Sequence, residues 1–432
     1  MLVLKFGGTS VGNAIAIKKV AAIVNAIDQA KIVVLSAVSG TTNTLVRIVN
    51  AKNDSLSSIS TLEESYQKLI NELYASEVYQ LKALTFIKSQ FDELRVLSEN
   101  SKKNEKHILA QGELISTQLF QLYQAELGTH TQLISALDFM TINFLEEPAT
   151  AQIKTKLHRV LAKTPTCKTF ITQGYICRNH NGEIDNLKRG GSDYSASLIG
   201  AAIEADEIQI WTDISGMHNN DPRYVENTFT IDEISFDEAA ELAYFGAKIL
   251  HPQSIIPAQK NNISVLLKNT FHPNDKGTII NNCKSSKGIR AIAAKDGIIA
   301  IKIKSYRMLL AYGFLKKIFE VFEKYQTAID MITTSEIAVS LTIDDVTYLD
   351  EITKELQDIG SVEVDTQMSI VCLAGNFSQS GKGISASVIN CLTSIPIRMI
   401  SYGGSNYNMS LLVSTDDKIK ALNLLNEGLF LS

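Results

Sequence analysis

Proline is scarce in this 432-residue chain, seven residues against 24 glycines, which excludes extended proline-rich linkers. The five cysteines (Cys167, Cys177, Cys283, Cys372 and Cys391) are odd in number and include no CxxC pair, so neither a disulfide framework nor a structural zinc site fits. Each is expected to be a small buried hydrophobe in a reduced, cytosolic protein. No run approaches about 18 uninterrupted apolar residues, so no membrane span is expected. The apolar start over residues 1–8 is too short for a signal peptide. A basic surplus is missing as well. Lysine and arginine total 41 against 46 acids, a net charge of -5, which sets nucleic-acid backbone binding aside.

What is present is the balance of an ordinary folded protein, 45% hydrophobic and 20% charged, long enough for roughly three domains. An apolar strand at 2–6, helical spacing over 14–27 and a β-branched run at 31–36 predict an α/β fold with a parallel sheet. Residues 54–106 are polar and glycine-free, with Leu62, Tyr66, Leu69 and Leu73 at the spacing of a one-sided helical insertion. Strand-like runs return at 131–136, 167–172, 207–212 and 263–268, separated by helical patterns. Ligands of such sheets sit outside the carboxyl ends of the strands, which directs attention to the loops 178–193 and 213–222. After about residue 285 the texture changes. Residues 298–366 read strand, helix, strand, strand, helix, strand, and 369–414 repeat that opening, with a last helix at 416–427. The expected domains are 1–285, 298–366 and 367–432, with strands in 286–304 available to pair with the last.

Two glycine pairs open helices. In KFGGTSVG (5–12) the pair follows the first strand, so backbone N–H groups and a helix start can cradle an anion beside Lys5. The P-loop pattern fails, because Asn13-Ala14 stand where Lys-Ser/Thr is required. A tight turn beside an ordinary lysine is the plainer alternative. In KRGGSDY (188–194), Arg189 can grip a carboxylate or phosphate as a fork, while Ser192 and Asp193 fall where caps are also common. WTDISG (211–216) ends a strand, and DPR (221–223) closes the loop after it. FGAKILHP (245–252) places Lys248 near a helix end, where lysine also complements the dipole; His251 reads as structural. GKGISA (381–386) mimics a dinucleotide fingerprint but lacks the acidic residue about 20 positions on, and reads as a strand–helix turn.

Together with LSAVSGTTNTL (35–45), QGELISTQL (111–119) and TQGYI (172–176), these segments closely resemble aspartokinases of the amino-acid kinase superfamily. MLLAYGFLKKIFEVF (308–322), IDMITTSEIAVSLT (329–342) and SNYNMSLLV (405–413) resemble the ACT domains of that family. The resemblance implies an amino-acid kinase fold, a mainly parallel sheet with helices on both faces and a helical insertion, followed by two ferredoxin-like βαββαβ ACT units. It implies a cytoplasmic enzyme that uses ATP to phosphorylate the side chain of L-aspartate, the first step toward lysine, threonine and methionine. A carboxylate of pKa about 3.9 is already ionised at neutral pH, so no general base is needed. The task is to align two anions and neutralise the transferring phosphoryl group.

The resemblance gives that task to Lys5, Asp193 and Lys248, with Mg²⁺ carried by ATP and no resident metal. It implies that Gly7, Gly8, Thr9, Ser10, Thr212, Asp213, His218, Asp221 and Arg223 meet the nucleotide, although His218 stands where tyrosine is common. Lys188 likewise replaces a glycine often found before the arginine. Thr42, Glu113, Tyr175, Arg189 and Ser192 are implied to hold aspartate, Arg189 on a carboxylate and Glu113 on the α-ammonium. Met308, Gly313, Phe314, Leu315, Asp330, Ser335 and Glu336 are implied to bind L-lysine as a feedback inhibitor between ACT units of a homodimer, with a tetramer as the larger alternative. Competing readings are a kinase for glutamate, carbamate or a nucleotide, and an inactive amino-acid sensor. The insertion, RGGSDY and the paired C-terminal units argue against the first, and the joint presence of Lys5, Arg189, Asp193 and Lys248 against the second. No room is expected for a fused homoserine dehydrogenase after Ser432.

Overall fold

The computed structural model describes the chain except residues 52–54, 189, 246–250, 284–287, 307–311, 378–382 and 432. It divides into two units, the first made of Met1–Met217, Thr230–Phe236 and Leu250–Cys283, the second of the remainder. The first unit thus closes two residues short of the expected boundary, but His218–Phe229 and Asp237–Ile249 belong to the second unit.

The first unit is built on strands β1 (Leu2–Phe6), β2 (Lys31–Leu35), β3 (Gln132–Leu133), β4 (Thr169–Gln173), β7 (Glu207–Thr212), β8 (Glu233–Ser235), β9 (Val265–Asn269) and β10 (Thr278–Asn281). They form one sheet in the order β3-β4-β2-β1-β7-β9-β10-β8, parallel except between β9 and β10. The small hairpin β5 (Ile176–Arg178) and β6 (Ile184–Asn186) stands apart from it. Every residue of β1 and β2 is buried, the near-continuous apolar run of a strand covered on both faces. Asn13 starts the first helix, Ala14–Ala26, by accepting from the Ala16 N–H at 2.9 Å. The helical insertion consists of Ser55–Leu73 and Glu77–Ser98, and Glu105–Glu126 returns the chain to the sheet. Its expected stripe is buried with Ile59 and Ile70, and Tyr66 lies at 5.9 Å from Phe91, ring centre to ring centre. Each such side chain contributes about 1.5–3 kcal/mol by leaving water.

The second unit carries an antiparallel sheet of β11 (Gly288–Lys304), β12 (Ile332–Thr334), β13 (Ala338–Ile343), β14 (Ser361–Asn376), β15 (Met399–Tyr402) and β16 (Asn408–Ser414). The order is β12-β13-β11-β14-β16-β15. Helices Phe314–Lys324 and Leu349–Gln357 cover one half, and Ile384–Cys391 and Lys418–Phe430 the other. Both halves share the two long central strands. The expected division at 366/367 therefore falls inside β14, and the first half of β11, from Gly288, pairs with the far half of β14, ending at Asn376. Separate cores form around Ile301, Phe322 and Leu341 and around Val371, Leu411 and Leu422.

Candidate active site

Parallel pairing brings four strand ends level. Phe6 lies opposite Leu35 and Trp211, and Leu35 opposite Gln173. Gly7-Gly8, Ser36-Ala37, Gly174-Tyr175 and the Thr212-Asp213 end of β7 consequently emerge along one edge of the sheet, where ligands of this architecture sit.

Lys5, one residue from the end of β1, is buried and forms an ion pair with Asp193, Nζ to Oδ1 2.6 Å. Asp193 stands in the first turn of the helix Gly191–Ile203, so the charge pair spans a strand end and a helix start. Gly8 has an ordinary helical backbone, φ -58°. A β-carbon there would lie 3.2 Å from the Ala37 carbonyl oxygen, so the glycine serves close approach of two loops rather than an unusual turn. Thr9–Val11 continue as a 3₁₀ turn, whose leading N–H groups lack intrahelical acceptors. Ser10 turns inward. Its hydroxyl lies 2.7 Å from Thr270 Oγ1 and donates to the Trp211 carbonyl, leaving backbone rather than side chain for a ligand.

Glu113 sits in the middle of Glu105–Glu126 and is 3% exposed. Its Oε1 accepts from the Ala37 N–H at 3.2 Å, while Oε2 is buried with no hydrogen-bond donor among the described residues. Burial pushes this carboxyl up to about 8 despite the Ala37 bond. One residue, Ala37, thus presents its carbonyl to the glycine loop and its N–H to Glu113. Gly112 allows that approach, because a β-carbon on it would lie 2.7 Å from Cβ of Ala37.

Ser192 lies so close to the end of β4 that a β-carbon on Gly174 would fall 2.4 Å from its Cβ. Tyr175 has φ +65° and donates its N–H to Ser195 Oγ at 2.8 Å, which fixes the ring beside this helix start. Burial raises its phenol to about 12, so it remains a neutral hydroxyl. Ser36 Oγ donates to Ser192 Oγ at 2.9 Å. Ser36 is absent from the sequence-derived set; its place one residue beyond a buried strand was the available signal. Thr41 turns into the insertion, hydroxyl to Tyr66 hydroxyl 2.8 Å, leaving Thr42 half-buried at the helix start. Thr212 donates to Asp213 Oδ1 at 3.0 Å, and Asp213 is exposed. Arg189 and Lys248 lie outside the described residues.

Residues 1–269 match the family model described as amino acid kinase family, and 371–429 match an ACT domain. The chain is 32% identical to lysine-sensitive aspartokinase 3 of Escherichia coli, over 100% of this chain and 99% of that protein. The chain belongs to the aspartokinases. Two solved structures of E. coli aspartokinase III resemble it over its full length: the complex with aspartate and ADP, TM-score 0.85 at 31% identity covering 100% of that chain, and the complex with lysine and aspartate, TM-score 0.86 at 32% covering 99%.

In the second unit of this aspartokinase, Asp221 accepts from the Arg223 N–H and guanidinium; burial would raise its carboxyl, but those bonds prevail and hold it low. His218 Nδ1 lies 3.1 Å from Thr228 Oγ1, and burial depresses its pKa. Gly313, φ +77°, precedes the helix carrying buried Phe314 and exposed Leu315. Asp330 differs from the open carboxylate expected there. It is 1% exposed by side chain, paired with Lys295 at 3.1 Å, and accepts from the Tyr244 hydroxyl at 2.7 Å. Ser335 and Glu336 are exposed beyond the other end of β12, whose three residues separate them from Asp330 and Met331. Met308 lies outside the described residues. No helix among the described residues is long and apolar enough to cross a membrane, and no cluster of three or more His, Cys, Asp or Glu there could hold a metal.

Proposed function

We propose that this aspartokinase transfers the γ-phosphoryl group of MgATP to the side-chain carboxylate of L-aspartate through the residues gathered at the strand ends. The observation that carries the reading is the Glu113 carboxyl, buried with one oxygen unpartnered. A buried group of that kind is costly unless something arrives to pair with it, and an α-ammonium supplies both charge and hydrogen bonds. Lys5, held by Asp193, faces the developing charge of the transferring group, where a preorganised cation acts mainly in the transition state. The leading N–H groups of Thr9–Val11 add backbone donors for phosphate oxygens. Magnesium is a hard ion that keeps to phosphate oxygens and water, and it enters here with the nucleotide as part of the substrate. Ser192, Thr42 and Tyr175 line the aspartate side; Arg189 and Lys248 have the roles that the family resemblance implies. Thr212 and Asp213 take the nucleotide in the first unit, and His218, Asp221 and Arg223 have the nucleotide role that the family resemblance implies.

L-lysine is the feedback inhibitor in this reading, and a homodimer through the ACT units completes its site. The enzyme works in the cytoplasm at the head of the route to lysine, threonine and methionine. Hydroxylamine trapping tests the reaction: with MgATP, aspartate yields a hydroxamate and glutamate does not. Hydroxamate from glutamate alone would replace the substrate.

A further inference from the structure

The segment His218–Phe229 follows β7 after five intervening residues, belongs to the second unit and lies along one face of its last helix, Lys418–Phe430. Asn219 is fully buried and uses every polar group it has. Its side chain accepts from the Phe229 N–H at 2.8 Å and donates to Asn426 Oδ1 at 3.0 Å, while its backbone N–H goes to the Phe229 carbonyl and its carbonyl accepts from Ile292. Asn220 donates to the Leu422 carbonyl at 3.1 Å and accepts from the Asp221 N–H at 2.9 Å. Asn426 returns a donor to the Asn227 carbonyl at 3.1 Å, and Asn423 one to the Tyr224 carbonyl at 3.3 Å. At the two ends of the helix, Lys418 lies 4.2 Å over the Tyr224 ring and Phe430 packs edge-on to Phe229.

Val225 anchors the segment in the apolar core of its unit, which fixes its depth but not its backbone conformation. The amides of the last helix bond the backbone and side chains of the residues on either side of Asp221 and Arg223, an arrangement that specifies one conformation. We propose that Asn426, with Asn423, is a positioning residue for nucleotide binding: the last helix sets the conformation in which His218, Asp221 and Arg223 meet the nucleotide. This rests on the assignment of those three residues to the nucleotide.

Asn426→Ala and Asn423→Ala are compared with Glu427→Ala, an exposed residue of the same helix. Loss of the Asn426 bonds to Asn219 and Asn227, with the long one from Asn220, corresponds to about a tenfold rise in KM for ATP for Asn426→Ala, and about threefold for the one bond Asn423 makes to the segment. KM for aspartate and kcat stay within about twofold, and amide exchange over 218–229 accelerates. Glu427→Ala changes none of these. Faster exchange with KM for ATP unchanged overturns the proposal, as does a fall in kcat alone, which marks general destabilisation. Arg223→Ala separates the two layers. If it leaves KM for ATP unchanged, the assignment of the segment to nucleotide fails; if it raises KM while both asparagine variants do not, only the positioning role fails.

Discussion

Glu113 and Asp330 are both buried carboxyls with one oxygen that meets no hydrogen-bond donor among the described residues, and one lies in each unit. Asp330 has a resident cation and a phenol. Burial alone would depress the Lys295 ammonium, but Asp344 and Asp330 together outweigh it and raise its pKa. Glu113 has a single backbone N–H and no ion pair among the described residues, and its carboxyl rises to about 8. The same functional group is thus ion-paired in one place and without a cation among the described residues in the other. A carboxyl with no cation invites a ligand's; one already paired must exchange its partner before a ligand can use it.

The strongest way to break this contrast is Lys295→Met, which turns Asp330 into an unpaired buried charge. It should lower unfolding free energy by about 3–5 kcal/mol, measured by denaturant titration. An unchanged midpoint would mean that Asp330 was never dependent on its partner. Lys5→Ala should reduce kcat by about 10²–10³ while the far-ultraviolet dichroism stays unchanged, because a charge donor at the reacting group acts in the transition state.

Glu113→Gln keeps the shape and removes the charge, so KM for aspartate should rise about 10–100-fold at pH 8 with KM for ATP little altered. The wild type should lose aspartate affinity about tenfold per pH unit below about 8, since the carboxyl must release its proton before pairing with ammonium; the glutamine variant should not. Stability has its own sign. The folded carboxyl titrates above its unfolded value, so its contribution is fully present below about 4.5 and is lost as pH rises through about 8. Without ligand, Glu113→Gln should therefore gain on the wild type between those values, by a few kcal/mol at most, which melting curves at pH 5 and 9 would read. The smallest effect is expected from Tyr244→Phe, which removes one donor to Asp330. If Asp330 receives the effector's ammonium as proposed, lysine should then inhibit at about three- to tenfold lower concentration, with one bond fewer to displace. Weaker inhibition would show that the phenol assists the effector instead.

Much of the first unit was legible because its signals are local. A buried strand, two glycines and a helix start are enough to place Lys5, and four strand ends follow once the sheet is parallel. The spacing of Leu62, Tyr66, Leu69 and Leu73 likewise marked the insertion. What escaped depends on distant partners. Asp330 reads as a free carboxylate until Lys295, 35 residues earlier, and Tyr244, 86 residues earlier, are folded against it. Whether Thr41 or Thr42 faces out is decided by Tyr66 in another helix. Nothing in the sequence beside Asn219 and Asn220 names their partners, which stand on the last helix. The two-fold repeat after 285 was visible, whereas the sharing of β11 and β14 by both halves was not, since a strand pattern carries no record of its neighbours.

The bond from Asn219 to Asn426 closes a loop of 207 residues. During synthesis at about 5–20 residues per second, Asn219 emerges roughly 10–40 s before its partner exists. Through that interval the amides of 218–229 face water or whatever protein lies nearby, and the kinase sheet can assemble its strands without them. An early product of translation would then be a partly competent fold with an untied loop, and ribosome speed downstream of residue 230 would govern how long it persists.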